Sequence, residues 1–369
     1  MSKFRLMLLG TAAIGLTASA MSSAFAGEVE RTIGMSGHVN RAITVGSNGN
    51  EGFTRHVDNY ASSSRFRGTA SAASESMTIG ATLEMGAYIN RSTGVSESAT
   101  SQATTVGMRQ SNVHVTTSMG KLKFGRAWGS NINNGVPDAS GTAQVSSSGA
   151  GSFNGIRFFN TGTNAAGVTV GSMYDSTKGV QLATMAEYTT PDMNGFNASV
   201  GHAEQGSIFG GIGYSADYDG TAVTFGADYT RAAGDTIDNS WAVGASVLLA
   251  SGLNAAVGFG RDNVNTNSAT GGTTSLEDKD RLNVIVGYKM TGLSDLGGTN
   301  FAIEYVKVDD QDATASNADE LTVYSFKVEQ ALTDYGTTIY GGYEHFAYDT
   351  NAGNFDEVNG GVVGLKVTF

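Results

Sequence analysis

The stretch MTIGATLEMG, residues 77–86, carries two different faces. Met77, Ile79, Ala81, Leu83 and Met85 alternate with Thr78, Gly80, Thr82, Glu84 and Gly86. Successive side chains of a strand point to opposite sides, so this alternation describes a strand with one oily and one polar or small face. The same reading holds for Val223, Phe225, Ala227 and Tyr229 against Thr224, Gly226, Asp228 and Thr230. It holds again for Leu253, Ala255, Val257 and Phe259 against Asn254, Ala256, Gly258 and Gly260. Leu282, Val284, Val286 and Tyr288 repeat it, with Ile285 an apolar residue on the polar side.

Alternation alone does not separate a soluble sandwich from a membrane barrel, because both carry one apolar face. The links between strands separate them. Sixteen strands are predicted at about 31–45, 62–72, 76–90, 107–118, 120–128, 178–190, 194–206, 208–218, 221–231, 238–250, 252–262, 280–290, 298–309, 320–331, 335–348 and 358–369. Links after even-numbered strands are mostly tight, at Gly120, Pro191-Asp192, Asp219-Gly220, Ser251-Gly252 and Thr333-Asp334. Links after odd-numbered strands are long and rich in Asn, Ser, Thr, Gly and Asp, notably 46–61, 91–106, 129–177 and 263–279. Short turns at one end and long loops at the other are the plan of an all-β, antiparallel transmembrane barrel of the outer membrane. The bilayer offers backbone amides no water, so a sheet spans it only by closing on itself.

Composition agrees. Gly is 51 of 369 residues, charged residues are 15%, against about a quarter in ordinary soluble domains, and no mature stretch is apolar for the ~18 residues of a spanning helix. Lys3 and Arg5, the apolar run 6–16 and Ala24-Phe25-Ala26 form a secretory signal peptide over 1–26, so the mature single domain is expected to cover 27–369. Loss of Lys3 and Arg5 takes the 22 basic residues to 20 against 34 acidic, a mature charge of about −14. That balance argues against nucleic-acid binding, which needs clustered Lys and Arg. Cys is absent, and the five His stand singly without zinc-site spacing, so neither metal nor cofactor is expected. Gly211-Ile212-Gly213-Tyr214-Ser215-Ala216 matches a dinucleotide-type pattern, but strand alternation continues through it. The acidic runs 309–312 and 319–320 read as solvated loop charge, with divalent-cation binding as the alternative; no EF-hand spacing is present. Aromatics near strand ends, Tyr88, Trp128, Tyr188, Tyr218, Trp241, Tyr288, Tyr305 and Tyr348, suggest interfacial girdles.

Two groups of residues carry a family resemblance. The C-terminal Val363, Leu365, Val367 and terminal Phe369 resemble the closing strand of outer-membrane proteins, whose final aromatic is an assembly signal read by the barrel-assembly machinery. Gly37-His38-Val39, Ser64 to Gly68, Gly80 to Glu84, Arg109 to Val115 and Gly120 to Arg126 resemble the opening strands of general Gram-negative porins, nearest the alphaproteobacterial type. Tyr188-Thr189-Thr190-Pro191 is similar to that family's Tyr-x-Ser-Pro turn.

The resemblance implies a sixteen-stranded homotrimer in outer-membrane lipid and lipopolysaccharide, with the third external loop, here 129–177, folded inward as a constriction. It implies a pore constriction in which Arg65, Arg67 and Arg109, with His38 where many members carry Lys, stand on the wall beside Glu84 and face Asp138 on the loop. Arg157, at the far end of the loop, is expected to complete the cluster. Such opposed charges set up a field across a narrow wet throat. The implied function is passive diffusion of ions and small hydrophilic solutes, with weak cation selectivity from the acidic excess and no enzymatic activity. A substrate-selective channel, an adhesive or structural barrel and a barrel enzyme are the alternatives, the last lacking any recognisable catalytic motif. Asn134 stands where an acidic loop residue is common. Arg109 shares the parity of apolar Val113 and Val115, so a lumenal Arg109 requires a bulge. Arg126 shares the parity of Leu122 and Phe124 and reads as interfacial or inter-subunit.

Overall fold

A computed structural model describes residues 29–130, 135–145, 151–174, 181–232, 237–264, 277–311, 318–351 and 353–369. The expected signal peptide, Asn134 and Asp312 lie outside the described residues. Sixteen long strands follow one another around a closed antiparallel sheet. They are β1 (Glu30–Ser47), β2 (Arg65–Ala73), β3 (Met77–Tyr88), β4 (Thr105–Thr117), β5 (Gly120–Ala127), β6 (Ala183–Thr189), β7 (Phe196–Ala203) and β8 (Ile208–Tyr218). The second half comprises β9 (Thr221–Arg231), β10 (Ile237–Leu248), β11 (Leu253–Val264), β12 (Lys279–Met290), β13 (Thr299–Asp309), β14 (Glu320–Leu332), β15 (Thr337–Thr350) and β16 (Val358–Thr368). Each overlaps a strand read from the sequence, with ends moved by a few residues.

Closure is made by β16 on β1, from Thr368 opposite His38 to Asn359 opposite Ser47. Phe369 extends it, its N–H donating to Gly37 O at 3.0 Å and its carbonyl accepting from Gly37 N–H at 2.8 Å. Glycine is required here, because a Cβ on Gly37 would lie 2.9 Å from the Phe369 ring. The tight links are those expected: Asp219 and Gly220, both at positive φ, form the two-residue turn that matches strand twist. Outward positions such as Ile33, Leu83, Ile212, Val257 and Ile303 are exposed, as a lipid-facing wall demands. No helix among the described residues is long and apolar enough to cross a membrane.

Three features depart from the sequence reading. The first long link, 46–61, is mostly strand: Gly52–Asp58 pairs with the upper half of β1, and β2 pairs with its lower half. Between them Tyr60–Ser62 makes one tight turn, capped by the Asn59 side chain on Ala61 N–H. Second, Tyr88 and Tyr348 are buried and do not belong to an outer girdle; Tyr348 stacks on Phe158 at 5.3 Å. Tyr218 and Tyr288 are exposed on the outer face.

The third departure concerns the inner wall. Val306, Val308, Leu321, Val323, Phe346 and Val358 occupy the lumenal parity of β13–β16 yet are apolar and buried. The loop between β5 and β6 covers them. Its Val145, Phe153, Ile156, Phe158, Val170 and Met173 join them in one core, with Phe153 and Phe346 at 5.8 Å. The same loop explains Ile285: it packs with Ala256 and Ala302 beneath Val136. Gly244 and Gly258 let the chain pass close, since a Cβ on Gly258 would lie 2.0 Å from Gly135 O. The described segments 135–145 and 151–156 of the third external loop are therefore inside the barrel, seated on one wall by hydrophobic burial.

Replacing Phe153 with Ala removes a fully buried ring and should cost the seated loop about 3–5 kcal/mol. Limited proteolysis of the folded barrel is expected to cut within 151–174 in the variant and to spare the wild type.

Candidate functional site: the lumenal charge cluster

Glu84 stands on the lumenal face of β3 and is wholly buried. Arg67, opposite it on β2, donates from Nε to Oε2 at 2.8 Å and bonds the same oxygen through Nη2. Arg109 donates from Nε to Oε1 at 2.8 Å, and Arg65 Nη1 stands 3.8 Å from that oxygen. Arg109 reaches the lumen through a bulge: Glu84 faces Gln110 and Met85 faces Met108, so Arg109 is the extra residue of β4. The bulge required by its parity is present, and it re-aims one side chain while leaving Val113 and Val115 outside.

One carboxylate against three guanidinium groups leaves two positive charges in excess. Two unit charges 4 Å apart interact by about 1 kcal/mol in water and about 4 kcal/mol near a protein surface, so Glu84 is what lets the three arginines share one wall. His38 faces Arg65 across β1–β2, with Nε2 on the carbonyls of Ser63 (3.0 Å) and Ser62 (3.2 Å). Arg109 also lies against Tyr88 Oη (3.4 Å) and under the Trp128 ring, with Cζ 5.7 Å from its centroid. Lys366 on β16 and Lys121, Lys123 and His114 on β5 and β4 continue the basic arc along the lumenal parity.

Asp138 lies on the far side of the ring. Its loop segment crosses β10–β12, eight strands from β2–β4, with Pro137 against Gly244 and Ser140 against Gly287. Its carboxylate accepts from Ser140 N–H at 2.7 Å, an Asx turn that fixes the loop after Pro137. A buried polar network anchors the next turn. Gln144 N–H donates to the Glu329 carboxylate, Asn59 Nδ2 donates to Gln144 O at 2.6 Å, and Asn40 and Tyr340 complete the set.

Arg157 is not part of the cluster. It is exposed on a short hairpin, Arg157–Phe159 with Ala166–Thr169, on the external side. Its N–H donates to Glu97 and its carbonyl accepts from Asn48, both residues of other external loops. Residues 151–156 are drawn into the apolar core before the chain emerges there, which carries Arg157 away from Glu84. Arg126 faces outward and its Nη1 lies 3.7 Å from Glu204.

Several residues of the site are absent from the sequence reading. Lys123 and Glu187, paired at 2.5 Å, and the Asn40–Asn59–Gln144–Glu329 network are among them. Lys123 sits on the lumenal parity of a quoted motif, which is a usable signal. Asn59 and Gln144 carry none, since only the loop path brings them together. At the external ends of β13 and β14, Lys307 pairs with both Asp309 (3.0 Å) and Glu320 (2.9 Å), offsetting one charge of the acidic runs. Among the described residues no group of acidic and His side chains could hold a metal ion. Asp310, just outside the strand, is pushed up to about 6, by burial first and then by Glu277, Asp309 and Asp319.

A model of the Gram-negative porin family matches residues 10–351. No curated protein sequence matches the chain significantly. Among solved structures, the anion-selective porin from Comamonas acidovorans is similar over 92% of this chain and 100% of its own, at 15% identity and TM-score 0.56. The outer membrane channel DcaP of Acinetobacter baumannii shares 11% identity over 95% of this chain and 100% of its own, with TM-score 0.59. A trimer form of OmpT from Vibrio cholerae shares 14% over 92% and 99%, with TM-score 0.56.

Glu84→Gln takes the shared carboxylate from three crowded guanidiniums, of which Arg65 and Arg109 are mostly buried and Arg67 is more exposed, and should cost about 3 kcal/mol, read as a lower temperature of the folded-to-unfolded mobility change on a denaturing gel. Arg157→Ala should leave that temperature unchanged. The raised Asp310 makes the folded state bind a proton more tightly than the unfolded chain, so its contribution is full below the ordinary Asp range and is lost as pH rises through about 6. The Asp310 N–H, which donates to the Asp319 carbonyl at 2.8 Å, should therefore exchange more slowly at pH 5 than at pH 8, after correction for intrinsic exchange, and Asp310→Asn should abolish the difference.

Proposed function

The chain belongs to the Gram-negative porin family and is an outer-membrane channel for solute diffusion; on that footing we propose that it is a trimeric, weakly cation-selective diffusion porin whose constriction lies between Arg65, Arg67 and Arg109 on one wall and Asp138 on the loop opposite. The observation that carries the proposal is the inward seating of the third external loop. It brings Asp138 to the wall eight strands from the arginines and leaves the basic arc of β16 and β1–β5 facing the lumen.

Opposed charges across a confined, low-dielectric throat polarise the water between them. A small hydrophilic solute replaces that water's hydrogen bonds as it passes; an apolar solute breaks them without replacement and is retarded. The acidic excess of the chain draws cations to the mouth, and the arginines oppose their passage, so the net preference is weak. Glu84 and His38 set the spacing of the arginine ladder. Phe369, paired to Gly37, is the residue offered to the assembly machinery. Residues 1–26 act as the export signal, and the outer wall meets lipid and lipopolysaccharide. The family favours this reading over the adhesive and enzymatic alternatives.

In planar bilayers the purified mature protein should open in water-filled steps that close in threes. Its reversal potential across a salt gradient should show a small cation preference, and Arg65→Ala should move it further toward cations. Anion preference of the wild type would reject the selectivity, and absence of conductance would reject the channel reading.

A further inference from the structure

We propose that Lys123 and Glu187 are positioning residues for Arg109, acting through Trp128. At the end of β5 the chain turns inward through Trp128, Gly129 and Ser130, and a single carboxylate holds that turn. Glu187, directly across from Lys123 on β6, is buried. Its Oε1 accepts from Ser130 N–H at 2.7 Å, and its Oε2 accepts from Ser130 Oγ at 2.9 Å and from Lys123 Nζ at 2.5 Å. Lys123 Nζ also donates to Trp128 O at 2.7 Å. Both ends of the turn are thus tied to one salt bridge.

The consequence falls on Trp128. With its carbonyl held by Lys123 and the chain beyond it held by Glu187, the backbone of Trp128 has one position, and its ring lies over the Arg109 guanidinium. A cation over an indole face is attracted by the ring quadrupole, most strongly where water is excluded. Arg109 sits on a bulge and donates one Nε bond to Glu84, which leaves the rest of the fork to be oriented by Tyr88 and Trp128. The clamp thereby sets the direction in which one charge of the ladder faces the lumen, and it does so from a neighbouring pair of strands. The inference rests on the arginines being the selective wall, while its test reads Trp128 directly.

The sequence contains two Trp, and Trp241 packs on Phe259 on a different wall. In a Trp241→Phe background, emission and acrylamide quenching report Trp128 alone. Lys123→Met and Glu187→Gln change the wall charge in opposite senses, so a purely electrostatic role moves the reversal potential in opposite directions and leaves Trp128 alone. The positioning role requires both variants to shift Trp128 emission to the red and to raise its quenching about twofold or more. It also requires Arg109→Lys to move the reversal potential less in the Lys123→Met background than in the parent, since coupled residues are not additive. Folding is checked by gel mobility before and after heating. Should either variant not fold, Ser130→Ala, which removes only the hydroxyl bonds, must still raise the quenching. Unchanged Trp128 signals in the folded variants would overturn the proposal, whether or not the channel conducts.

Discussion

Every backbone amide within the bilayer must find its partner in the protein, and the pairing of β16 with β1 satisfies the last of them. Without the run from His38–Thr368 to Ser47–Asn359 the sheet would present two open edges to hydrocarbon, each unpaired group costing several kcal/mol. Closure also decides what every other residue can do. Once the ring is shut, alternate side chains are committed to lipid or lumen, and a position is polar, small or apolar according to what occupies the lumen at its height.

The lumen of this barrel is divided between a dry side and a wet side. On the dry side the loop segments 135–145 and 151–174 pack against β10–β16 and bury aromatic and branched side chains as a soluble core does. On the wet side β2–β5 carry the arginines, lysines and Glu84. The division places fixed positive charge opposite a rigid strip of loop, and rigidity matters as much as charge. A wall group whose direction wanders offers water a mobile dipole, whereas a group held by two or three bonds offers a standing field. Glu84 supplies those bonds to the arginines of the wet wall, while the Gln144 network and the Glu187 clamp supply them to the loop.

Much of the architecture was legible from alternation and link length, because the membrane imposes both. The sixteen strands and the short and long ends belong to this class, whereas the inward course of the loop and the closing role of Phe369 rest on the family resemblance. Arg109 shows how a contradiction can be informative: its wrong parity pointed to a bulge, and the bulge is where the side chain turns inward. What remained hidden depended on the loop's course. Val306, Val308, Leu321 and Val323 break the polar inner face without apparent reason until the loop is seen to cover them. Tyr88 and Tyr348 sit at strand ends, where an interfacial aromatic is the ordinary expectation, but they point toward packed loop residues. Arg157, a cation at the far end of an inward loop, is expected to join the constriction, but burial of Phe153 and Ile156 turns the following residue outward.

The seating of the loop has a consequence for the order in which the molecule is built. Gln144 is clamped by Glu329, 185 residues later, and Asn59 meets Tyr340, 281 residues away. The aromatic face of the loop therefore lies far ahead of its seat in the chain, and it stays an uncovered apolar surface until those strands are in place. Contacts so distant in the chain form late. The C-terminal strands consequently bring two things at once, the edge that completes the ring and the lining on which the loop comes to rest. Before they arrive the barrel is both open and without its narrow throat.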